Sequence, residues 1–495
     1  MALTETDEGV FRYVSVERHI LERIEAGELL PGERIPSLRA LGTRLGVSVS
    51  TVNQAYLALE RRGVVEARPK SGFFVRSRPD RPPAPRPSRL PAKPPTAVNR
   101  VALIREVLSG MGRHDMVPLN VAQTDESLLP TRQLSRLLAK VATAGGESVV
   151  AYEGVFGNLG LRRQIAWRLV EAGIEARPED VMVTSGAMEA LYIALRSVTR
   201  PGDNVAIAAP SYYCFLQLLE NFGLRAVELP SHPDGGVRPA DLDAALDRFD
   251  IRAVILTPNF NNPDGARIPD PAKAAMAATA AARGVPVIED DVYGDLYFDG
   301  GRPRCLASYD TDGYVLHCSS FSKTLAPGFR VGYLLPGRYA AKAFEIKATT
   351  NVCCATPTQV AVAEYLSQGS FERHLRKIRA VLERQARIME ERILRRFPPG
   401  TRVTHPGGGT VLWVQLPESV DSIRLFYEAK AKGIGVAPGN IFSSCDQFSR
   451  FLRLSYGNVW TPVVDEALTT LGRLAAVQAE AADLPKDVDC HKHNT

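Results

Sequence analysis

Short continuous apolar segments rich in β-branched residues recur from about residue 100 onward, and longer helical patterns separate them. Strands that are apolar at every position are typical of a sheet covered by helices on both faces, which is mainly parallel. The pattern therefore predicts an α/β fold for most of the chain. The predicted strands are residues 181–183, 205–208, 253–256, 285–288 and 314–317.

A proline-rich stretch divides the chain. Residues 77–96 contain eight prolines. Because proline fixes φ and has no N–H donor, we predict an extended, semi-rigid spacer there, without a ladder or a helix. The predicted divisions are a domain over residues 12–76, a linker over 77–100, a body over 101–484 (large domain about 115–365, small α+β lobe about 366–484, beginning with a long helix over about 371–397) and a disordered tail over 485–495.

The composition narrows the class of protein. No run of 18 apolar residues occurs, and the start lacks the pattern of a signal peptide, so we predict no membrane span. Seven cysteines without a CxxC pair predict a reduced, cytoplasmic protein. The eight histidines are scattered and form no HExxH motif, so we predict no metal site.

Charge is concentrated near the spacer. Residues 61–100 contain 11 Lys and Arg residues against two Asp and Glu residues, although the whole chain carries only +5. A cationic surface of this kind attracts phosphates by counterion release, as DNA-binding proteins do. The alternative is a solvated linker, which would account for the more distal arginines.

The first domain reads as three helices and a hairpin. An amphipathic helix over residues 16–26 precedes a helix over 38–45 that Ser37 caps, and a third helix follows Ser48 to about residue 62. Residues 63–67 and 71–75 then form a hairpin. In such a winged helix-turn-helix, the start of the third helix enters the major groove. The predicted DNA-binding residues are Arg39, Arg44, Ser48, Ser50, Thr51, Asn53, Lys70 and Gly72.

This domain resembles the GntR family. The resemblance rests on Ile35-Pro36-Ser37, Gly46-Val47-Ser48, Ala55-Tyr56 and Ser71-Gly72. Where this family usually has an arginine that reaches a guanine, the chain has Val49, which shifts the expected base reading to Arg39, Ser50 and Thr51. The resemblance implies promoter DNA read by a dimer. The alternative is a helix-turn-helix that serves dimer packing only.

A second motif lies in the body, at Ser319-Ser320-Phe321-Ser322-Lys323-Thr324-Leu325-Ala326-Pro327-Gly328-Phe329-Arg330. A lysine that forms an imine with an aldehyde cofactor needs an anchor for the cofactor's phosphate. Ser320, Ser322 and Arg330 could supply that anchor. The segment resembles the lysine motif of fold-type I, aspartate-aminotransferase-like enzymes that use pyridoxal 5′-phosphate (PLP), in which Lys323 would be the catalytic lysine.

Other groups that PLP chemistry needs follow in the order of that family. Gly186, Ala187 and Met188 come after a predicted strand and begin a helix, whose free N–H groups would meet a phosphate. Asp290 ends another predicted strand, where ligand crevices of α/β proteins form. By resemblance, Asp290 pairs with the pyridinium nitrogen, Asn262 and Tyr293 donate to the phenolate oxygen, Tyr212 stacks on the ring, and Tyr152 reaches the phosphate bound by a partner subunit.

Arg453 lies on an apolar segment near the end of the body. A charged residue there either pairs with an acid in the core or clamps the carboxylate of an amino acid. Beside the other motifs, the clamp is the favoured interpretation.

Together, in this order, the two motifs resemble the MocR family of bacterial regulators. The resemblance implies a homodimer, head-to-tail, with PLP as cofactor and promoter DNA as partner. An amino acid or amine would displace Lys323, form an external aldimine and so change DNA binding. The alternatives are an active PLP-dependent aminotransferase with a secondary DNA-binding role, and a sensor of PLP alone.

Overall fold

The structure is a computed structural model that divides the chain into two compact units, Met1–Arg81 and Pro82–Thr495. Among the residues it describes, no helix has both the length and the apolar content that crossing a bilayer requires. The described residues are 12–25, 28–30, 32–61, 64–68, 71–76, 83–86, 94–98, 101–108, 115–445 and 447–483. The predicted tail at 485–495 lies outside them.

The first unit has the three helices and the hairpin that the sequence predicted. Its elements are α1 (Arg12–Glu25), α2 (Leu38–Leu45), α3 (Val49–Arg61), β1 (Val65–Arg68) and β2 (Gly72–Val75). Ser37 caps α2 by accepting a hydrogen bond from the Ala40 N–H at 3.2 Å. Gly46 ends α2 in the left-handed conformation, with φ 67°, which a residue with a Cβ would adopt at a cost.

The core of this unit joins all of its elements. Val16 and Ile20 of α1 pack with Val52 and Tyr56 of α3. The Tyr56 hydroxyl, which is buried, donates a hydrogen bond to the Pro36 carbonyl at 2.8 Å. The helix that presents the predicted DNA-binding residues is therefore fixed from behind by apolar packing and one satisfied polar group.

Most of the second unit is a large α/β domain. In chain order, the helices and strands of the second unit up to α12 are β3 (Thr96–Ala97), α4 (Val101–Leu108), β4 (Val117–Pro118), α5 (Thr131–Ala144), α6 (Leu159–Leu169), β5 (Met182–Thr184), α7 (Ala187–Val198), β6 (Asn204–Ala209), α8 (Tyr213–Asn221), β7 (Arg225–His232), β8 (Gly236–Val237), α9 (Pro239–Arg248), β9 (Ile251–Leu256), α10 (Asp270–Arg283), β10 (Val287–Asp290), β11 (Val315–Ser320), β12 (Gly332–Leu335), α11 (Ala340–Thr350) and α12 (Thr356–Ser367).

Nine of these strands, all except β4, form a sheet in the order β3-β7-β6-β9-β10-β11-β12-β5, with β8 beside β7. The central strands β7, β6, β9, β10 and β11 are parallel, and β12 and β5 are antiparallel additions at one side. The predicted α/β fold is confirmed. Because neighbouring parallel strands end at the same edge, the residues that follow β9, β10 and β11 come together.

The segment that the sequence predicted as the small lobe follows α12. Its elements are α13 (Phe371–Arg396), β13 (Arg402–Val403), β14 (Val411–Gln415), α14 (Ser422–Lys430), β15 (Ile434–Gly435), β16 (Ala437–Pro438), β17 (Phe451–Ser455) and α15 (Pro462–Asp483). The predicted long helix is confirmed as α13. Strands β13, β14, β17 and β16 form an antiparallel sheet in which Arg453 lies opposite Trp413 on one side and Ala437 on the other.

The spacer prediction is wrong where the structure describes that stretch. The Pro83 carbonyl accepts the Val403 N–H at 3.0 Å, and the Arg86 N–H donates to the Gln415 side chain at 3.0 Å. Thr96–Ala97 pairs antiparallel with the start of β7. An extended, proline-flanked segment is suited to an edge, because an edge strand needs a partner on one side only. These parts of the stretch therefore pack on the body.

Candidate functional site

A cavity of about 160 Å³ surrounds the Lys323 side chain at the carboxyl edge of the parallel strands. Thr257 follows β9, Asp290 ends β10 and Ser320 ends β11. The ends of three adjacent strands therefore contribute polar residues to the cavity wall. The sequence-predicted residues that line the cavity are Ala187, Met188, Tyr212, Asn262, Asp290, Tyr293, Ser320, Ser322, Lys323 and Arg330.

One end of the cavity is a cup of donors at the start of α7. Gly186 caps α7 with φ 80°, and a Cβ at this position would overlap the Arg330 guanidinium. Arg330 has a left-handed backbone, with φ 53°. Its guanidinium donates to the Ser185 carbonyl at 3.1 Å and to Ser322 Oγ at 3.3 Å, and Ser322 Oγ lies 2.9 Å from Ser320 Oγ. A helix N-terminus with a guanidinium and two hydroxyls is suited to bind a phosphate.

Lys323 lines the same cavity and is held by a segment that the sequence analysis missed. Its Nζ donates to the Ala122 carbonyl at 2.6 Å, and its own carbonyl accepts the Thr124 hydroxyl at 2.6 Å. The amine is 5.8 Å from the centroid of the Tyr293 ring. The amine is therefore positioned inside the cavity rather than on the surface.

Asp290 is buried, and its Oδ1 has no hydrogen-bond partner among the described residues. Burial, reinforced by the adjacent Asp291 carboxylate, raises the pKa of Asp290 to about 7, although the Lys323 charge opposes the shift. The neighbouring Asp291 differs, because it pairs with Arg302 at 2.5 Å. A buried carboxyl with one unpaired oxygen in a cavity is destabilising unless a ligand supplies a donor or a positive charge.

Arg453 reaches the cavity residues from the small lobe. Its guanidinium donates to the Asn262 side-chain oxygen at 3.2 Å and to the Asn120 carbonyl. Its Nε is buried and has no hydrogen-bond partner in the described part of the chain. Asn262 in turn donates to the Tyr293 hydroxyl at 3.5 Å. A buried guanidinium with a free N–H supports the interpretation of Arg453 as a carboxylate clamp, which stays a prediction.

Tyr152 is not among the residues that line the cavity, and its side chain is 89% exposed. Its predicted contact with the phosphate bound by a partner subunit stays a prediction. Three other wall residues, Leu191, Thr257 and Val292, were missed by the sequence analysis. Thr257 and Val292 follow predicted strands so closely that the strand-end rule would have included them.

One buried group could in principle hold a metal ion. Ligand atoms of Glu289, Cys305 and His317 lie within 4.8 Å of one another. The Glu289 carboxylate, however, already accepts the backbone N–H groups of Leu306 and Ala307 and contacts the His317 ring at 3.0 Å. These bonds account for the carboxylate without an ion, so the group is explained as structural.

The predicted DNA-binding residues lie on the accessible side of the first unit. Arg39, Arg44, Ser48, Ser50 and Gly72 are exposed, and Thr51 and Asn53 are half-buried. Ser48 Oγ accepts the Thr51 N–H at 3.1 Å and lies 2.7 Å from Ser50 Oγ. Lys70 lies outside the described residues.

A residue beside the wing, Arg34, was missed by the sequence analysis. Gly72 has φ 100°, and a Cβ there would lie 3.2 Å from the Arg34 side-chain Nε. Arg34 is exposed and pairs by its backbone with Phe74. The Arg34 guanidinium therefore lies beside Gly72 at the tip of the wing. Its position just before the predicted second helix gave no local signal of this contact.

Comparison with known proteins assigns both units. Residues 12–75 match the model of the bacterial regulatory proteins of the gntR family, and residues 119–471 match that of aminotransferase class I and II. The chain is 36% identical over 461 residues to the uncharacterized HTH-type transcriptional regulator YjiR of Escherichia coli, covering 93% of this chain and 98% of that protein.

The body alone also resembles enzymes. It is 30% identical over 383 residues to 2-aminoadipate transaminase of Thermus thermophilus, covering 76% of this chain and 94% of the enzyme. The crystal structure of the α-aminoadipate aminotransferase LysN from Thermus thermophilus, complexed with N-(5′-phosphopyridoxyl)-L-leucine, matches with TM-score 0.70 and 28% identity, over 76% of this chain and 95% of that one.

The fold and the cavity thus define an aminotransferase-like body of fold-type I that follows a GntR-type winged helix-turn-helix. The chain belongs to the MocR family of transcriptional regulators, which unite these two modules in this order.

Proposed function

We propose that this regulator binds PLP at Lys323 and that an amino acid or amine, entering the same cavity, changes its affinity for promoter DNA. The observation that carries the proposal is the buried Asp290 carboxyl, which lacks a partner on Oδ1 and shares a cavity with the Lys323 amine. Such a group destabilises the protein by itself, so its presence is explained by a ligand that brings a cationic N–H.

The remaining cavity residues fit PLP in size and charge. The cup formed by Gly186, Ser320, Ser322 and Arg330 offers N–H, hydroxyl and guanidinium donors to a phosphate. Met188 and Tyr212 provide apolar and aromatic wall beside the ring. When bound, PLP supplies an electrophilic carbon and an electron-accepting ring that can hold an amino acid covalently.

The protein's own groups would then orient the ligand. Arg453 presents an unused N–H for a carboxylate, and Asn262 and Tyr293 hold their polar groups toward the same space. Asp290 would keep a proton on the ring nitrogen because its negative charge stabilises a neighbouring cation. Lys323 would accept and return the proton of the incoming amine as it is displaced.

The response to the ligand would pass through the small lobe, since Arg453 lies on β17 while Lys323 follows β11. A ligand held by both residues favours the arrangement in which they are closest. We propose a homodimer, head-to-tail, in which the approach of Arg453 to Lys323 alters how the two winged helix-turn-helix units bind double-stranded DNA. A single winged helix-turn-helix unit seldom makes enough contacts for specific DNA binding.

The direct test is a footprint of the full-length protein on the DNA upstream of its own gene, titrated without PLP, with PLP, and with PLP plus each amino acid. The proposal predicts protection whose midpoint shifts when PLP and one amino acid are both present. A midpoint that responds to PLP alone would support a sensor of the cofactor. The same midpoint in every mixture would contradict any sensing role.

A second candidate function is transamination. Lys323 and Asp290, which line one cavity, and Arg453, which donates a hydrogen bond to the cavity residue Asn262, would permit half-reactions with an amino acid and 2-oxoglutarate. Mixing the protein with both substrates and measuring released keto acid separates the candidates. Continuous release supports an enzyme, whereas a changed cofactor spectrum without release supports a sensor.

A further inference from the structure

Lys347 is a fully buried lysine that the proposed site does not use. It lies on α11, and its side chain has 0% exposure. Its Nζ lies 3.0 Å from Glu189 Oε1, 2.8 Å from Asn351 Oδ1 and 3.3 Å from Cys354 Sγ. Burial raises the pKa of the Cys354 thiol to about 11, so this partner is neutral. The ammonium thus has a partner for each of its three N–H groups, and Glu189 is the anionic one.

Glu189 connects this lysine to the phosphate cup. It lies in the first turn of α7, and its second carboxylate oxygen accepts the Ser185 N–H. The Ser185 carbonyl accepts the Arg330 guanidinium at 3.1 Å. A continuous series of hydrogen bonds therefore runs from Lys347 through Glu189 and Ser185 to Arg330, behind the loop that carries Gly186.

The position of Glu189 creates an electrostatic conflict. A carboxylate in the first turn of a helix is stabilised by the helix dipole, but the same N-terminus is the proposed phosphate site. The Glu189 side chain is only 10% exposed, so solvent screens its charge weakly. Without compensation, Glu189 would repel a phosphate bound at Gly186.

We propose that Lys347 is a positioning residue for phosphate binding. It neutralises Glu189 behind the cup and, through Glu189 and Ser185, fixes the Arg330 guanidinium that faces the phosphate. This inference rests on the proposed binding of PLP, and it concerns only the phosphate end of that ligand. Pyridoxal, which has the same ring and aldehyde but no phosphate, is therefore the matched probe.

The test measures the dissociation constants of PLP and of pyridoxal for four full-length proteins, by the absorbance of the lysine-bound chromophore. These are the wild type, Lys347→Met, Glu189→Gln and the double variant. Lys347→Met leaves Glu189 uncompensated, so we expect PLP binding to weaken about tenfold or more. Glu189→Gln keeps the acceptor for Ser185 but leaves the positive charge of Lys347 unneutralised near the cup, so PLP binding should strengthen by a few-fold. Pyridoxal binding should change by about twofold or less in both.

The double variant carries the decisive comparison. It leaves no unpaired buried charge, so it can fold even if Lys347→Met alone does not. We expect it to recover most of the lost PLP affinity and to have nearly the wild-type ratio of PLP to pyridoxal affinity. Lys273→Met is the matched control, since Lys273 of α10 is equally buried but pairs with Asn259, which follows β9, and with Asp270 of α10. It should leave that ratio unchanged.

The possible outcomes distinguish a failure of the role proposed for Lys347 from a failure of the proposed PLP binding. Equal losses of PLP and pyridoxal affinity in Lys347→Met, or no recovery in the double variant, would show that Lys347 serves the core alone. A Glu189→Gln variant that binds PLP more weakly would contradict the proposed repulsion. If the wild type binds neither compound, the proposed function itself is wrong.

Discussion

Polar side chains of the predicted DNA-binding surface are exposed, whereas key polar side chains of the body are buried. On the DNA-reading surface, Ser48 is exposed and bonds to its own neighbours Ser50 and Thr51. In the body, Asp290 of the cavity wall and Arg453, which is hydrogen-bonded to the wall residue Asn262, are buried, and each keeps one atom without a partner among the described residues. Exposed polar groups are solvated at little cost, whereas buried unpaired ones destabilise the fold.

Because of this difference, the cavity can be interpreted from physical principles, whereas the DNA-binding surface cannot. The unpaired atoms at the cavity are suited to a ligand of complementary charge, and this observation supports the proposed site. The reading surface is satisfied without DNA, and its assignment rests on family resemblance. Experiments that remove single groups should therefore have larger effects in the cavity than on the reading surface.

The largest effect is expected from Lys323→Ala. This change removes the amine that would hold the cofactor, so the absorbance near about 420 nm that a lysine-bound pyridoxal gives should disappear completely. Lys342→Ala, which removes an exposed lysine paired with Glu345 on α11, is the control and should keep the absorbance. An unchanged spectrum in Lys323→Ala would assign the cofactor to another lysine.

Arg453→Met should weaken binding of an amino acid effector by about 2–5 kcal/mol, because a buried charged group that binds a carboxylate is lost. The cofactor spectrum without effector should be unchanged. Titration of the spectrum with amino acids measures this. Arg450→Met removes a partly exposed arginine that pairs with Glu418, and it should have no effect on the titration. Equal effects of both changes would mean that Arg453 belongs to the core only.

Asp290 should make the stability of the ligand-free protein depend on pH. Because burial raises its folded-state pKa to about 7, the folded protein retains a proton there that the unfolded chain has already released. Its contribution to the free energy of unfolding therefore decreases as the pH rises from about 4 to about 7. The slope cannot exceed about 1.4 kcal/mol per pH unit.

Unfolding of the wild type and of Asp290→Asn across this pH range measures the effect. The amide stays neutral, so the variant should lack the decrease, and the two curves should separate as the pH rises. Curves that remain parallel would show that Asp290 does not titrate as an isolated buried carboxyl.

Arg39→Ala should weaken operator binding by about 1–3 kcal/mol, as expected for one contact of an exposed arginine with DNA. The cofactor spectrum should not change. Arg23→Ala, which removes an arginine paired with Glu28 within the same unit, is the matched control for a gel-shift titration. Identical affinities of Arg39→Ala and the wild type would remove Arg39 from the interface.

The smallest effect is expected from Tyr56→Phe, which deletes the buried hydroxyl that donates to Pro36. The first unit should lose about 1 kcal/mol of stability. At a temperature where the variant is folded, its operator affinity should equal that of the wild type. A large loss of affinity would mean that the core of the reader and its surface are not separable.

The sequence located much of this molecule because its signals are local. Apolar segments predicted strands β6, β9, β10 and β11, and the rule that ligands bind at strand ends then placed Asp290 beside the cavity. Capping chemistry at Ser37 predicted the start of α2 in the first unit.

What the sequence could not predict depends on contacts between distant parts of the chain. The Ala122 carbonyl meets Lys323, and the Asn120 carbonyl meets Arg453, across 201 and 333 positions of chain. A backbone carbonyl carries no side-chain signature, so no motif marks these residues. The sequence also gives no signal for the pairing of Glu189 with Lys347, because each residue alone resembles an ordinary surface charge on a helix. The described parts of the proline-rich stretch were misread because pairing at a sheet edge depends on the strand that receives it.

The most direct test of the central claim is to incubate the purified protein with PLP, reduce it with borohydride, and map the modified peptide by mass spectrometry. The account predicts one phosphopyridoxyl group, on Lys323. A protein that takes up no label, or that carries it on a different lysine, would contradict the account.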